Sequence, residues 1–193
     1  MTDYKKEGKI EGSLILEGNL ILTDNLIVEE EIEVGGYIDC AGYSIEAGGW
    51  IKAGSWIKAG SSIEAGGWIK AGYSIKADSW IKAGYSIEAG GSIEAGGSIE
   101  AGSWIKAGSS FGILAGLSIR CKGTLSCGLR VFAGTCIWKK ANDEDKTITC
   151  SKLLNGNVEY GILKETGIKL EQDDKMSEAM ELLKNNGYKV IKE

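Results

Sequence analysis

The sequence predicts an all-β fold, a parallel β-helix, with a small α+β C-terminal appendage. Three observations carry this. A six-residue unit, Ala-Gly-x-(Ser/Trp)-Ile-(Lys/Glu), repeats twelve times without a gap from Ala41 to Gly112; Asp78 replaces one glycine, and Phe111-Gly112 alter the last unit. Each junction between units reads Ile-(Lys/Glu)-Ala, an alternation that puts Ile and Ala on one face and the charge on the other. Finally, Gly 29 beside Pro 0 assigns the glycine to a regular turn rather than to linkers. Strands this short cannot bury a face alone, but stacking coil on coil at ~4.8 Å does so.

Taken in order, residues 1–9 read as a polar N-terminal segment. Five units with larger aliphatics follow, from Ile10 to Asp39, with the apolar residues at positions one and five. Cys40 reads as a single inserted residue before the regular array. After the array, Ile113 and Leu114 read as a two-residue insertion, and the frame resumes from Ala115 to Trp138. In each unit the position-two glycine permits the sharp change of direction that ends the strand. The β-helix is therefore expected over 10–138.

Residues 139–193 read as the appendage, a cap over the open end or an interaction module. Asn142–Asp145 form a loop, and Thr147–Cys150 and Val158–Leu163 form strands joined by a turn at Asn155-Gly156-Asn157. Met176, Ala179, Met180 and Leu183 follow helical spacing, with Asp174 or Ser177 as N-cap and Asn186-Gly187 as stop. Tyr188–Ile191 reads as a last strand.

Strings such as Ser92-Ile-Glu-Ala-Gly-Gly97 and Glu7-Gly-Lys-Ile-Glu-Gly12 resemble those of polymer-forming bacterial β-helix proteins, the bactofilins and the flagellar-assembly-protein-A-like family. The likeness covers roughly residues 7–138. It implies a right-handed helix that scaffolds or polymerises in the cytoplasm. The aliphatic-then-Gly/Glu pattern also resembles the hexapeptide motif of left-handed β-helices, which implies three units per coil in preference to two. Here, however, the small residue sits at position one and the large one at position five. The two resemblances imply opposite hands, and neither carries over a functional residue.

Composition narrows the function classes. There is no histidine. Acyltransferases and metal-dependent hydratases on left-handed hexapeptide helices use it as base or ligand, and a Ser-His-Asp triad requires it. The chain reads as non-enzymatic, with no cofactor and no metal. Its five cysteines contain no C-x-x-C pair, so a zinc site is not indicated. Cys121 and Cys127 take position one, where Ala sits elsewhere, and read as small buried hydrophobes. The polar start and the odd cysteine count suggest a cytoplasmic, reduced protein, of a bacterium or of a phage-infected host. No apolar run is long enough to span a membrane.

Net charge is -5, which argues against a nucleic-acid partner. The charge is polarised along the chain. Residues 1–40 carry three Lys against ten Asp/Glu, whereas residues 113–140 carry five Lys/Arg and no acid.

The candidate contact residues come from the repeat. Trp50, Trp56, Trp68, Trp80 and Trp104 all take position four, and Lys52, Lys58, Lys70, Lys82 and Lys106 follow each two residues later. Both positions flank the inward Ile, so they are expected on one outer face. Lysine stems covering indoles would explain the pairing structurally; an aromatic–cationic surface for a partner or neighbour would explain it functionally. Tyr43, Tyr73 and Tyr85 at position three widen that surface. Glu29, Glu30, Glu31 and Glu33 form an acidic group near the start, read as a solvated face or a phosphate mimic. Arg120, Lys122 and Arg130 form a basic group that would meet it head-to-tail. The expected function is a scaffold or self-associating solenoid with a protein partner or itself. The alternatives are a phage- or mobile-element-encoded inhibitor of a host defence system and a carbohydrate-binding surface.

Overall fold

A computed structural model of the chain describes residues 2–167. The expected helix at Met176–Leu183 and the strand at Tyr188–Ile191 lie outside them. The described strands all belong to one sheet, and every pairing between them is parallel. The chain is a parallel β-solenoid.

Within the regular array each strand is Ile-(Lys/Glu)-Ala, with Ile and Ala buried and the charged residue pointing out. Each strand pairs with the third strand along, Ile51 with Ile69 and Ile69 with Ile87, so three strands complete a coil. Three ladders result. The first side runs through Ile32–Val34, Ile51–Ala53, Ile69–Ala71, Ile87–Ala89 and Ile105–Lys106. The second runs through Ile38–Cys40, Ile57–Ala59, Ile75–Ala77, Ile93–Ala95 and Ile113–Ala115. The third runs through Ile45–Ala47, Ile63–Ala65, Ile81–Ala83, Ile99–Ala101 and Ile119–Cys121. The parallel register places Ile on Ile and Ala on Ala, and these columns are the core. β-Branched Ile suits a pleated, packed strand, and Ala fits the narrow seat beside the corner.

The paired strands extend past 10–138 at both ends. Asp3–Ile10 pairs with Asn19–Val28, a long strand that turns one corner and serves two sides. At the other end, Thr147–Cys150, Lys152–Tyr160 and Ile162–Glu165 continue the ladders.

Four details differ from the sequence expectations. Cys40 is not the inserted residue: it is buried in register with Ala59, and the extra residue is exposed Ala41, whose corner is closed by Gly42 at φ 88°. Ile113 and Leu114 are likewise not an insertion. They are strand residues in register with Ile93 and Glu94, and the two extra residues lengthen the preceding corner, where Ser109, Ser110 and Phe111 are exposed. In both cases the burial of an apolar residue decides which residue is looped out. The last unit, Ala133–Trp138, does not form a coil. Ile137 is 98% exposed, the chain leaves the frame after Ala133, and Ile148 takes the core seat beside Ile119. Finally, Asn155-Gly156-Asn157 is no hairpin turn. It lies inside a strand parallel to Thr124–Ala133, where Gly156 at φ 93° sits in a register shift.

The position-two glycines also have a different physical reason. Those of the regular corners, such as Gly84, are not in the left-handed region. A Cβ on Gly84 would run into the carbonyl oxygen of Gly66 one coil away, so close backbone approach selects glycine. Asp78 takes the same seat, and nothing in the structure explains how that corner admits its Cβ.

Candidate functional site: three aromatic corners

Position four lies at the corner just before each strand, and its carbonyl accepts from the Ile N–H one coil earlier. This bond sorts the tryptophans. Ile51, Ile69 and Ile87 donate to the carbonyls of Trp68, Ser86 and Trp104, so Trp50, Trp68, Ser86 and Trp104 stack along the corner that opens the first side. Ile38, Ile57 and Ile75 donate to Trp56, Ser74 and Ser92, which places Tyr37 and Trp56 at the second corner. Ile45, Ile63 and Ile81 donate to Ser62, Trp80 and Ser98, which leaves Trp80 alone at the third. Only Trp50, Trp68 and Trp104 share a corner. Tyr43, Tyr73 and Tyr85 are divided among the three corners in the same way.

Consecutive aromatics at a corner stack. The Trp50 and Trp68 rings lie 4.8 Å apart at an interplanar angle of 5°, and Tyr37 and Trp56 lie 4.4 Å apart at 4°. The coil repeat sets this spacing, which suits ring stacking. Serines in the third corner form hydroxyl pairs instead, Ser44 with Ser62 at 3.0 Å and Ser98 with Ser118 at 3.3 Å.

The lysines engage carboxylates of adjacent coils. Lys52 meets Glu33 at 2.7 Å, Lys82 meets Glu64 at 2.7 Å, and Lys76 meets Glu94 at 3.4 Å. Glu88 accepts from both Lys70 at 2.9 Å and Lys106 at 3.4 Å. Burial alone would raise the Glu88 pKa, but the bonds and charges of Lys70 and Lys106 outweigh it and hold the carboxyl below the ordinary range. The hydrogen bond and charge of Glu64 raise Lys82. Lys58 stands in register between Asp39 and Lys76 on the second side.

The acidic group is also occupied locally. Glu29 pairs with Lys9 at 2.6 Å, and the Ser13 hydroxyl, with one proton to donate, lies within hydrogen-bond reach of Glu30 at 2.8 Å and Glu31 at 2.6 Å. Of the basic group, Arg130 lies 3.6 Å from Glu159, while Arg120 and Lys122 border a groove with Glu100 and Thr149 on the third side.

Two concavities involve tryptophan. A groove of about 610 Å³ at the third corner has Trp80 and Trp138 in its walls, 47% and 60% exposed, with Gly97, Ser98 and Leu117 among its lining. A slot of about 370 Å³ at the first corner lies between Trp68 and Trp104, over Ser86. The hexad pattern alone does not single out Tyr37, Ser86 or Trp138. The same frame that placed Trp56 at position four also placed Tyr37 there. Ser86 gains meaning only from the residues one coil above and below it.

Buried thiols line the core. Cys40, Cys121, Cys127 and Cys150 are buried, and burial raises the pKa of each, that of Cys121 to about 12. Among the described residues, no cluster of three or more Cys, Asp or Glu is arranged to hold a metal ion, and no helix is long and apolar enough to cross a membrane. Comparison with protein-family models, with curated proteins and with solved structures finds no match to this chain.

Proposed function

We propose that this chain is a structural β-solenoid that works by contact rather than by catalysis, and that it associates with itself end to end. The open N-terminal edge carries the reading. The Leu14–Leu16 strand pairs with Ile32–Val34, and the Asp3–Ile10 strand with Asn19–Val28; neither has another partner among the described residues. Their outward backbone groups therefore form a template for another chain. Both ends carry exposed charges of both signs, so complementary pairs are available. Exposed Glu7, Glu11 and Glu17 lie on the N-terminal coil together with Lys9, and exposed Lys152 and Lys164 on the last described strands together with Glu159 and Glu165. Head-to-tail contact brings these together, and a heterologous contact of that kind propagates as an open filament. The likeness to polymer-forming β-helix proteins agrees with this reading without resting on any shared residue. Light scattering over a wide concentration range is expected to show mass rising with concentration and falling with added salt. A strict monomer at every concentration overturns the proposal.

A second reading, a carbohydrate-binding surface, has one observation in its favour: the Trp80–Trp138 groove offers two exposed indole walls. Sugar arrays that show no binding remove it. The inhibitor reading by charge mimicry gains nothing comparable, because Glu29, Glu30 and Glu31 already serve contacts between coils.

A further inference from the structure

The first corner holds an interrupted stack. Trp50 and Trp68 occupy consecutive coils and lie ring on ring at 4.8 Å. Ser86 occupies the next coil, and Trp104 the one after it. Two coils separate Trp68 from Trp104, or ~9.6 Å from the spacing of paired strands. That interval admits one flat ring at stacking distance from each indole, and the structure has a slot there, lined by Trp68, Trp104, Ser86, Lys70, Glu88 and Lys52. Neighbouring Tyr85 does not fill it, being 68% exposed. Lys70 and Glu88 stand in the slot wall, and Glu88 is also held by Lys106 of the next coil, so two lysines share its single carboxylate and one positive charge is in excess.

We propose that this slot binds a small planar aromatic anion. Its ring intercalates between Trp68 and Trp104, and its negative group meets the ammonium group of Lys70 in the slot wall. Both indole faces contribute, and the position-four serine is the specificity determinant because it leaves the ring seat vacant. The site is independent of end-to-end association, since it lies on the flank of the solenoid and away from both ends.

The test is titration of the full chain with 2-naphthalenesulfonate, followed by tryptophan fluorescence and calorimetry. Cyclohexanesulfonate, of equal charge but not flat, is the control. Saturable one-to-one binding of the naphthalene compound is expected, with no saturable binding of the control. Ser86→Trp completes the stack with a residue this corner already carries at three seats, and should abolish binding while circular dichroism and melting are retained. Trp104→Ser removes one wall and should weaken binding about tenfold, the order expected for one lost aromatic pair. The proposal fails if the wild type does not bind, if the control binds equally, or if Ser86→Trp binds as the wild type does. Should Ser86→Trp not fold, unchanged affinity in Trp104→Ser overturns it alone.

Discussion

Glu88 accepts from two lysines on two neighbouring coils, and its carboxyl is held below the ordinary range. A lowered folded-state pKa contributes stability that is present above the unfolded pKa and lost as pH falls through the folded one. Denaturant titrations between about pH 5 and pH 3 should therefore show a shallower acid-side loss for Glu88→Gln than for the wild type. Equal slopes would show that the pairs of Glu88 with Lys70 and Lys106 contribute nothing to stability. The cysteines give a second test at this scale. Cys136 lies half-buried in the loop after Ala133, whereas Cys40, Cys121, Cys127 and Cys150 are buried thiols with raised pKa values. Under native conditions a thiol reagent should titrate Cys136 rapidly and the other four only on unfolding. Rapid native reaction of the four would contradict their burial. Both thiols at position one were legible in the sequence as substitutes for Ala. The seat of Cys40 was not, because counting residues cannot tell which member of Cys40-Ala41 loops out; the preference of a thiol for the core over the corner decides it.

At the scale of the element, the Ile-x-Ala strand is the unit of stability. Ile75 is fully buried in the middle of the second side. Ile75→Ala should lower stability by about 2–5 kcal/mol, read as a shifted denaturation midpoint. Ile137 has the same place in the hexad frame but is exposed in the loop, so Ile137→Ala should change stability by no more than about 0.5 kcal/mol. A large effect at Ile137 would restore the last hexad to the core and contradict the loop. Alternation across three residues makes the strands legible in the amino-acid sequence, and it holds from Leu14 to Ala133. It fails beyond Ala133 because the chain continues to supply Ala-Gly and Ile-Trp while the packed column accepts Ile148 in place of Ile137. The strand containing Asn155-Gly156-Asn157 was hidden for a related reason. A turn signature read locally has no knowledge of the parallel ladder beneath it.

Across the whole molecule, the solenoid axis converts sequence distance into spatial order. Residues one coil apart touch, and residues in adjacent units stand at different corners. The five tryptophans form a single row when written in sixes, but occupy three corners when wound three strands to a coil. For this reason the aromatic residues were legible as candidates, while their grouping and the vacancy at Ser86 were not. The same axis separates the N-terminal strands, which have no second partner among the described residues, from the last described strands, and this arrangement is the basis of the proposed head-to-tail contact. Carbodiimide cross-linking of an equal mixture of 14N- and 15N-labelled protein tests that contact directly. Cross-links between light and heavy chains should join Glu7, Glu11 or Glu17 of one copy to Lys152 or Lys164 of another. If mixed-isotope cross-links are absent, or join only the flanks of the solenoid, the end-to-end contact does not form.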